Sequence, residues 1–173
     1  MAKSQKTQPT IVPSADLSRL RANFKKALTD EAARKRFSVA LHVAGGLKQQ
    51  AYQFNFEASG KGRVRCDTRC VLTNRTGRTG KQTFSDKDFT DLLKQIQKSK
   101  VLSLTPETPQ FLPDTVVGRL EISDGEVIHR FYFAADEEQA KTQGKVPPKA
   151  LRDATDAIYK IGERLLKKST VKP

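Results

Sequence analysis

From Arg63 to Leu72 the chain reads RVRCDTRCVL and alternates strictly. Arg63, Arg65, Asp67 and Arg69 fall on one side of an extended chain, and Val64, Cys66, Thr68, Cys70 and Leu72 on the other. A strand sends successive side chains to opposite faces, so one face here is apolar enough to bury and the other carries a row of guanidinium groups. This pattern restricts the chain to a sheet with one covered face and one polar face. Beyond it, Arg75, Arg78 and Lys81 sit in a stretch rich in glycine and threonine that reads as a turn.

Neighbouring segments extend the same pattern. Phe37, Val39, Leu41 and Val43 alternate with Ser38, Ala40, His42 and Ala44, and Gly45-Gly46 ends that strand. Tyr52, Phe54 and Phe56 alternate with Gln53, Asn55 and Glu57, Gly60-Lys61-Gly62 turns into the arginine strand, and Lys81 to Phe84 reads as a short fourth piece. Residues 37–84 are therefore expected to form an antiparallel meander. Ser85 caps a helix over 85–99, with Asp86 and Asp88 in its first turn and Phe89, Leu92, Leu93 and Ile96 as its buried stripe. Asp124-Gly125 suits the centre of a two-residue turn in a hairpin over 115–134. That turn would pair Ile122 with Val127, Leu120 with His129, Gly118 with Phe131 and Val116 with Phe133. Ala134 to Lys145 reads as a polar loop. Pro147-Pro148 opens a helix over 147–166, with Leu151, Ala154, Ile158, Ile161 and Leu165 on its apolar side.

At the other end, residues 1–13 are polar and interrupted by Pro9 and Pro13, and are expected to be disordered. A basic amphipathic helix follows over 15–36, built on Leu17, Leu20, Phe24 and Leu28. Residues 167–173 read as a frayed basic tail. The expected fold is α+β: one domain over 14–166, with a single antiparallel sheet of five to six strands, helices on one face, and the N-terminal basic helix.

Charge is distributed unevenly. The net charge is +13, and residues 1–82 carry 17 Lys and Arg against 5 Asp and Glu, whereas residues 83–173 carry 15 against 14. Such asymmetry points to a basic half that meets something acidic. No stretch has the 18 or so apolar residues of a membrane span, and no secretory signal is read at the N-terminus. Cys66 and Cys70 would lie roughly 13 Å apart on one strand face, beyond the reach of a disulfide of about 7 Å. Two reduced, buried thiols and a cytoplasmic location are the expectation.

Few residues suggest chemistry. His42 falls on the polar side of its strand and His129 on the apolar side of its hairpin, so neither faces an obvious catalytic partner. The cysteine spacing does not match the two- to four-residue, loop-borne spacing of zinc ligands. Gly77 to Gln82 has the lysine of a phosphate-binding loop, but Arg75 stands where its first glycine belongs and Gln82 where Ser or Thr should follow. Without a nucleophile–base pair or paired carboxylates, the expectation is a protein that is not an enzyme and uses no cofactor and no metal.

Two kinds of partner fit. The first is nucleic acid or another polyanion, bound with little sequence specificity. Arg63, Arg65 and Arg69 would be the central row, Arg75, Arg78 and Lys81 a clamp, and Arg34, Lys35 and Arg36 an extension. The second is a protein. From Gly45-Gly46 onward the order of landmarks resembles the emfourin family of small bacterial proteins. The landmarks are that Gly-Gly pair, Leu92-Leu93 in a helix, Pro113-Asp114 before a hairpin, and a terminal helix begun by Pro147-Pro148 with Leu151. The resemblance implies a binder without catalysis that inhibits a thermolysin-like metalloprotease.

Overall fold

Strand β1 (Ser38–Gly45) has neighbours on both sides, β2 (Tyr52–Ser59) and β5 (Val117–Ser123), and the sheet is organised around it. The structure, a computed structural model, describes residues 14–45, 52–70, 75–105 and 110–168. The disorder expected of residues 1–13 lies outside them, as does the frayed tail expected over 167–173 except for residues 167 and 168, which are helical. From β1 the chain runs outward through β2, β3 (Arg63–Cys70) and β4 (Arg75–Thr83). Helix α3 (Asp86–Ser99) then carries it back, and β5 and β6 (Ile128–Ala134) are added on the other side of β1. The result is one six-stranded antiparallel sheet in the order β4-β3-β2-β1-β5-β6, with helices packed alongside, the expected α+β architecture.

Alternation dictates which face is covered. Val39, Leu41, Val43, Phe54, Phe56, Val64, Cys66, Leu120, Ile122, Phe131 and Phe133 are buried on one face. Against them lie Phe89, Leu92, Leu93 and Ile96 of α3, Leu151, Ala154 and Ile158 of α5 (Lys149–Lys168), and Leu20 and Phe24 of α1 (Ser14–Ala27). Each such side chain contributes about 1.5–3 kcal/mol when fully buried. Helix α1 therefore docks on its own sheet. Both its arginines are engaged too: Arg19 pairs with Glu126, and Arg21 Nε donates to the Leu102 carbonyl at 2.7 Å. Helix α5 crosses β2 and β3 so closely that a Cβ at Gly162 would stand 2.8 Å from the Phe54 ring and 3.0 Å from Cys66 Sγ.

Four expectations need correction. The helix over 15–36 is broken after Ala27, because Asp30 adopts an extended conformation and caps α2 (Glu31–Arg34) by accepting from the Ala33 N–H. The glycine-rich stretch from Arg75 is strand β4 and not a turn. Part of the expected polar loop forms α4 (Glu137–Thr142), capped by Asp136, with Gln139 accepting from the Val116 N–H at 2.9 Å. The hairpin is in register, but not the expected one. Gly125 and Glu126 form the turn centre, Gly125 with φ +91°, and Asp124 caps it by accepting from the Glu126 and Val127 N–H groups. Ile122 thus faces His129, Leu120 faces Phe131 and Gly118 faces Phe133. The Phe133 ring occupies the space of a Gly118 side chain, where a Cβ would meet it at 2.2 Å.

Candidate polyanion-binding face

The open face of the sheet is polar, and its cations are concentrated at the β3–β4 end. Pairing puts Arg63 opposite Thr83 on β4 and Ser59 on β2, and Arg65 opposite Lys81 and Glu57. The β2–β3 turn adds Lys61, whose N–H donates to Ser59 Oγ at 3.2 Å. Together these residues line a concavity of about 800 Å³, with Ser38 and Ser59 among its hydroxyl groups. Lys61, Arg63, Arg65 and Lys81 are all exposed. Among the described residues, only Arg65 of the four has a carboxylate partner, Asp67 at 3.0 Å.

Asp67 also anchors a polar chain that runs across three strands. Asn55 Nδ2 donates to Asp67 Oδ2 at 3.0 Å, which turns the amide oxygen of Asn55 toward His42 Nδ1, also at 3.0 Å. A carboxylate only accepts, so the direction of the chain requires His42 to carry its proton on Nδ1. Further along the face, Glu121 Oε1 accepts from Arg130 Nε at 2.7 Å and lies 3.2 Å from Arg119 Nε. The β5–β6 half is thus close to charge balance, and among the described residues of this face the cations without a carboxylate partner, Lys61, Arg63 and Lys81, gather on the β3–β4 half.

Not every residue of the expected site belongs to it. Arg34 is buried: its guanidinium donates to both oxygens of Asp86 at 2.7 and 2.8 Å and to the Ala27 carbonyl at 2.8 Å. The Arg34 hydrogen bonds hold the Asp86 carboxyl below the usual carboxylate range. Arg34 joins the end of α1 to the start of α3, and an anion cannot reach it. Lys35 pairs with Glu31 at 2.6 Å and Arg36 with Glu126 at 3.0 Å, in ion pairs that leave both basic side chains more than half exposed. Arg78 is exposed but does not line the concavity; it sits where the β3–β4 register shifts, between the Asp67–Thr79 and Arg69–Thr76 pairs. Arg69 stands opposite Gln53 and Arg75 opposite Cys70 in the strand register, and their side chains lie outside the described residues.

Lys61, His42 and Asn55 were missed as contributors to this face. Lys61 stands between two turn glycines, and the other two become neighbours of the arginine strand only once three strands are in register. Burial, reinforced by the charge of Asp67, pushes the free Cys66 thiol up to about 12, so it stays protonated and unreactive at neutral pH. Among the described residues no group of three or more His, Cys, Asp and Glu converges to hold a metal ion, and no helix is long and apolar enough to cross a membrane. Set against known proteins, the chain matches no family model and no curated protein.

Proposed function

We propose that this chain is a non-enzymatic binding module that presents the β3–β4 half of its open face to a polyanion, nucleic acid foremost. The observation that carries the reading is the gathering of Lys61, Arg63, Arg65 and Lys81 around one concavity, three of them without a carboxylate partner among the described residues. An arginine fork grips phosphate bidentately and a lysine acts as a point charge. Arg65 and Lys81 are directly opposite on paired strands, a like-charge pairing that Asp67 offsets at Arg65 and that an anion beside Lys81 would offset further. Phosphate contacts position a ligand without reading its sequence, so binding through this end is indifferent to base order. The reading includes a cytoplasmic location, for which the free thiol of Cys66 speaks.

Fluorescence anisotropy with short oligonucleotides tests it. Four phosphate contacts should cost about 50- to 150-fold in affinity between about 50 and 200 mM salt. Replacing Arg63 and Lys81 together by Ser should reduce the slope of log affinity on log salt by about 2. Unaltered affinity and slope in that variant would overturn the proposal.

A protein partner, as the emfourin resemblance implies, is the second reading. A groove of about 820 Å³ between α3 and α5 favours it, with Phe84, Leu92 and Ile161 in its lining and acids and bases in equal number around them. A protein held there would bind with little dependence on salt.

A further inference from the structure

The half of the open face that the cations leave unused carries a different kind of side chain. His42 on β1 pairs with Arg119 on β5, and Arg119 pairs with Tyr132 on β6. Alternation puts all three on the open side, opposite the buried Leu41, Leu120 and Phe131. An imidazole, a guanidinium and a phenol therefore stand in one row on three adjacent strands, each half-buried. The Asp67–Asn55 chain holds the His42 ring, and Arg119, whose Nε makes no hydrogen bond among the described residues, has the Glu121 carboxylate 3.2 Å away.

Planar groups of these kinds are what unstacked bases lie against. On β3 the residue in line with His42 is Asp67, and Arg65 lies two residues along. Two strand spacings and two residues put Arg65 about 12 Å from His42, the reach of a phosphate and the base of its own or the next nucleotide. The stacked bases of an undistorted duplex present only their edges in the grooves and have no free ring faces to lay on the row.

Resting on the polyanion reading, we propose that the ligand of this face is single-stranded nucleic acid, its phosphates held by Lys61, Arg63, Arg65 and Lys81 and its bases laid on His42, Arg119 and Tyr132. The strand runs across the sheet, from β3–β4 toward β6. Base contact through ring faces tolerates any base, consistent with a site that reads no base edges.

The test compares four ligands of one length: a 12-mer of oligothymidylate, a 12-mer of oligouridylate, an abasic 12-mer with the same backbone charge, and a 12-base-pair duplex. Affinities are measured by anisotropy at low salt. The two base-bearing single strands are expected to bind at least tenfold tighter than the abasic strand and the duplex. The paired substitution His42→Ala with Tyr132→Ala should close that gap. Tyr132→Leu, which keeps the bulk of the side chain, should close part of it, and far-ultraviolet circular dichroism checks that each variant is folded. Equal, salt-dependent affinity for all four ligands would overturn the base platform while leaving the polyanion reading intact. So would a gap that survives both variants. No affinity for any of the four, even at low salt, would overturn both.

Discussion

At the scale of single residues, His129 is the most costly choice in the core. It is 1 % exposed, stacks on Phe131 with ring centroids 4.1 Å apart, and has no partner for either ring nitrogen among the described residues. Burial, helped by the charge of Arg21, lowers its pKa from the ordinary 6.5 to about 4. The folded chain therefore keeps the ring neutral, whereas the unfolded chain takes up a proton below pH 6.5. Stability should rise with pH between about 4 and 6.5, and at the acid end of that window the loss is on the order of 3 kcal/mol. His129→Leu removes the unpartnered nitrogens at similar volume. It should stabilise the protein by about 1 kcal/mol at pH 7 and flatten the dependence of Tm on pH across that window, which thermal melts at a series of pH values will read. The sequence placed His129 on the apolar side of its hairpin, and that much was legible in the alternation. Its lack of partners was not, because what packs around it, near Arg21 of α1, is set by elements far away along the chain.

At the scale of elements, what the sequence conveyed depended on whether a side chain or a backbone supplied the burial. Strands β1, β2 and β3 bury their own side chains, and their alternation announced them. On the covered side the described part of β4 offers Gly80 and Gln82, and the backbone of α5 at Leu165 fills the space above Gly80. A strand covered in this way has no apolar period, so its glycines read as a turn. The β5–β6 register failed for another reason. Sliding the pairing by two residues leaves every side chain on its own face, so hydrophobic pattern cannot tell the two registers apart. Only the Phe133 ring over Gly118 and the Asp124 cap distinguish them. In the same way, Asp30 ended α1 by hydrogen bonding inside an otherwise continuous helical pattern. The β3–β4 pair also carries a prediction. Lys81→Glu replaces a like-charged cross-strand pair with an opposite one facing Arg65. It should stabilise the sheet by roughly 0.2–1 kcal/mol, raising Tm at low salt, while weakening oligonucleotide binding. Higher stability with unchanged affinity would remove Lys81 from the binding face.

At the scale of the whole molecule, helices cover one side of the sheet and polar side chains occupy the other. The arginine row and its face were legible because they lie on one strand. The remainder of the candidate site was not, since His42, Asn55, Arg119 and Tyr132 come from four strands that only the assembled sheet aligns. The same assembly depends on α5 lying close to β2 and β3. Gly162→Leu would force a side chain into the Phe54 ring and Cys66. It should cost at least 1–3 kcal/mol, seen as a lower midpoint in urea denaturation.

The central position of β1 has a consequence for how the protein is made. Its first partner, β2, follows within a few residues, but its second, β5, begins only at Val117. Some 70 to 80 residues must be added before that edge can close, roughly 4–15 s at 5–20 residues per second. Throughout that interval the nascent chain holds a bare hydrogen-bonding edge beside Val39, Leu41 and Val43. Translation speed, and any chaperone that shelters this edge, therefore bear on how much of the protein escapes aggregation.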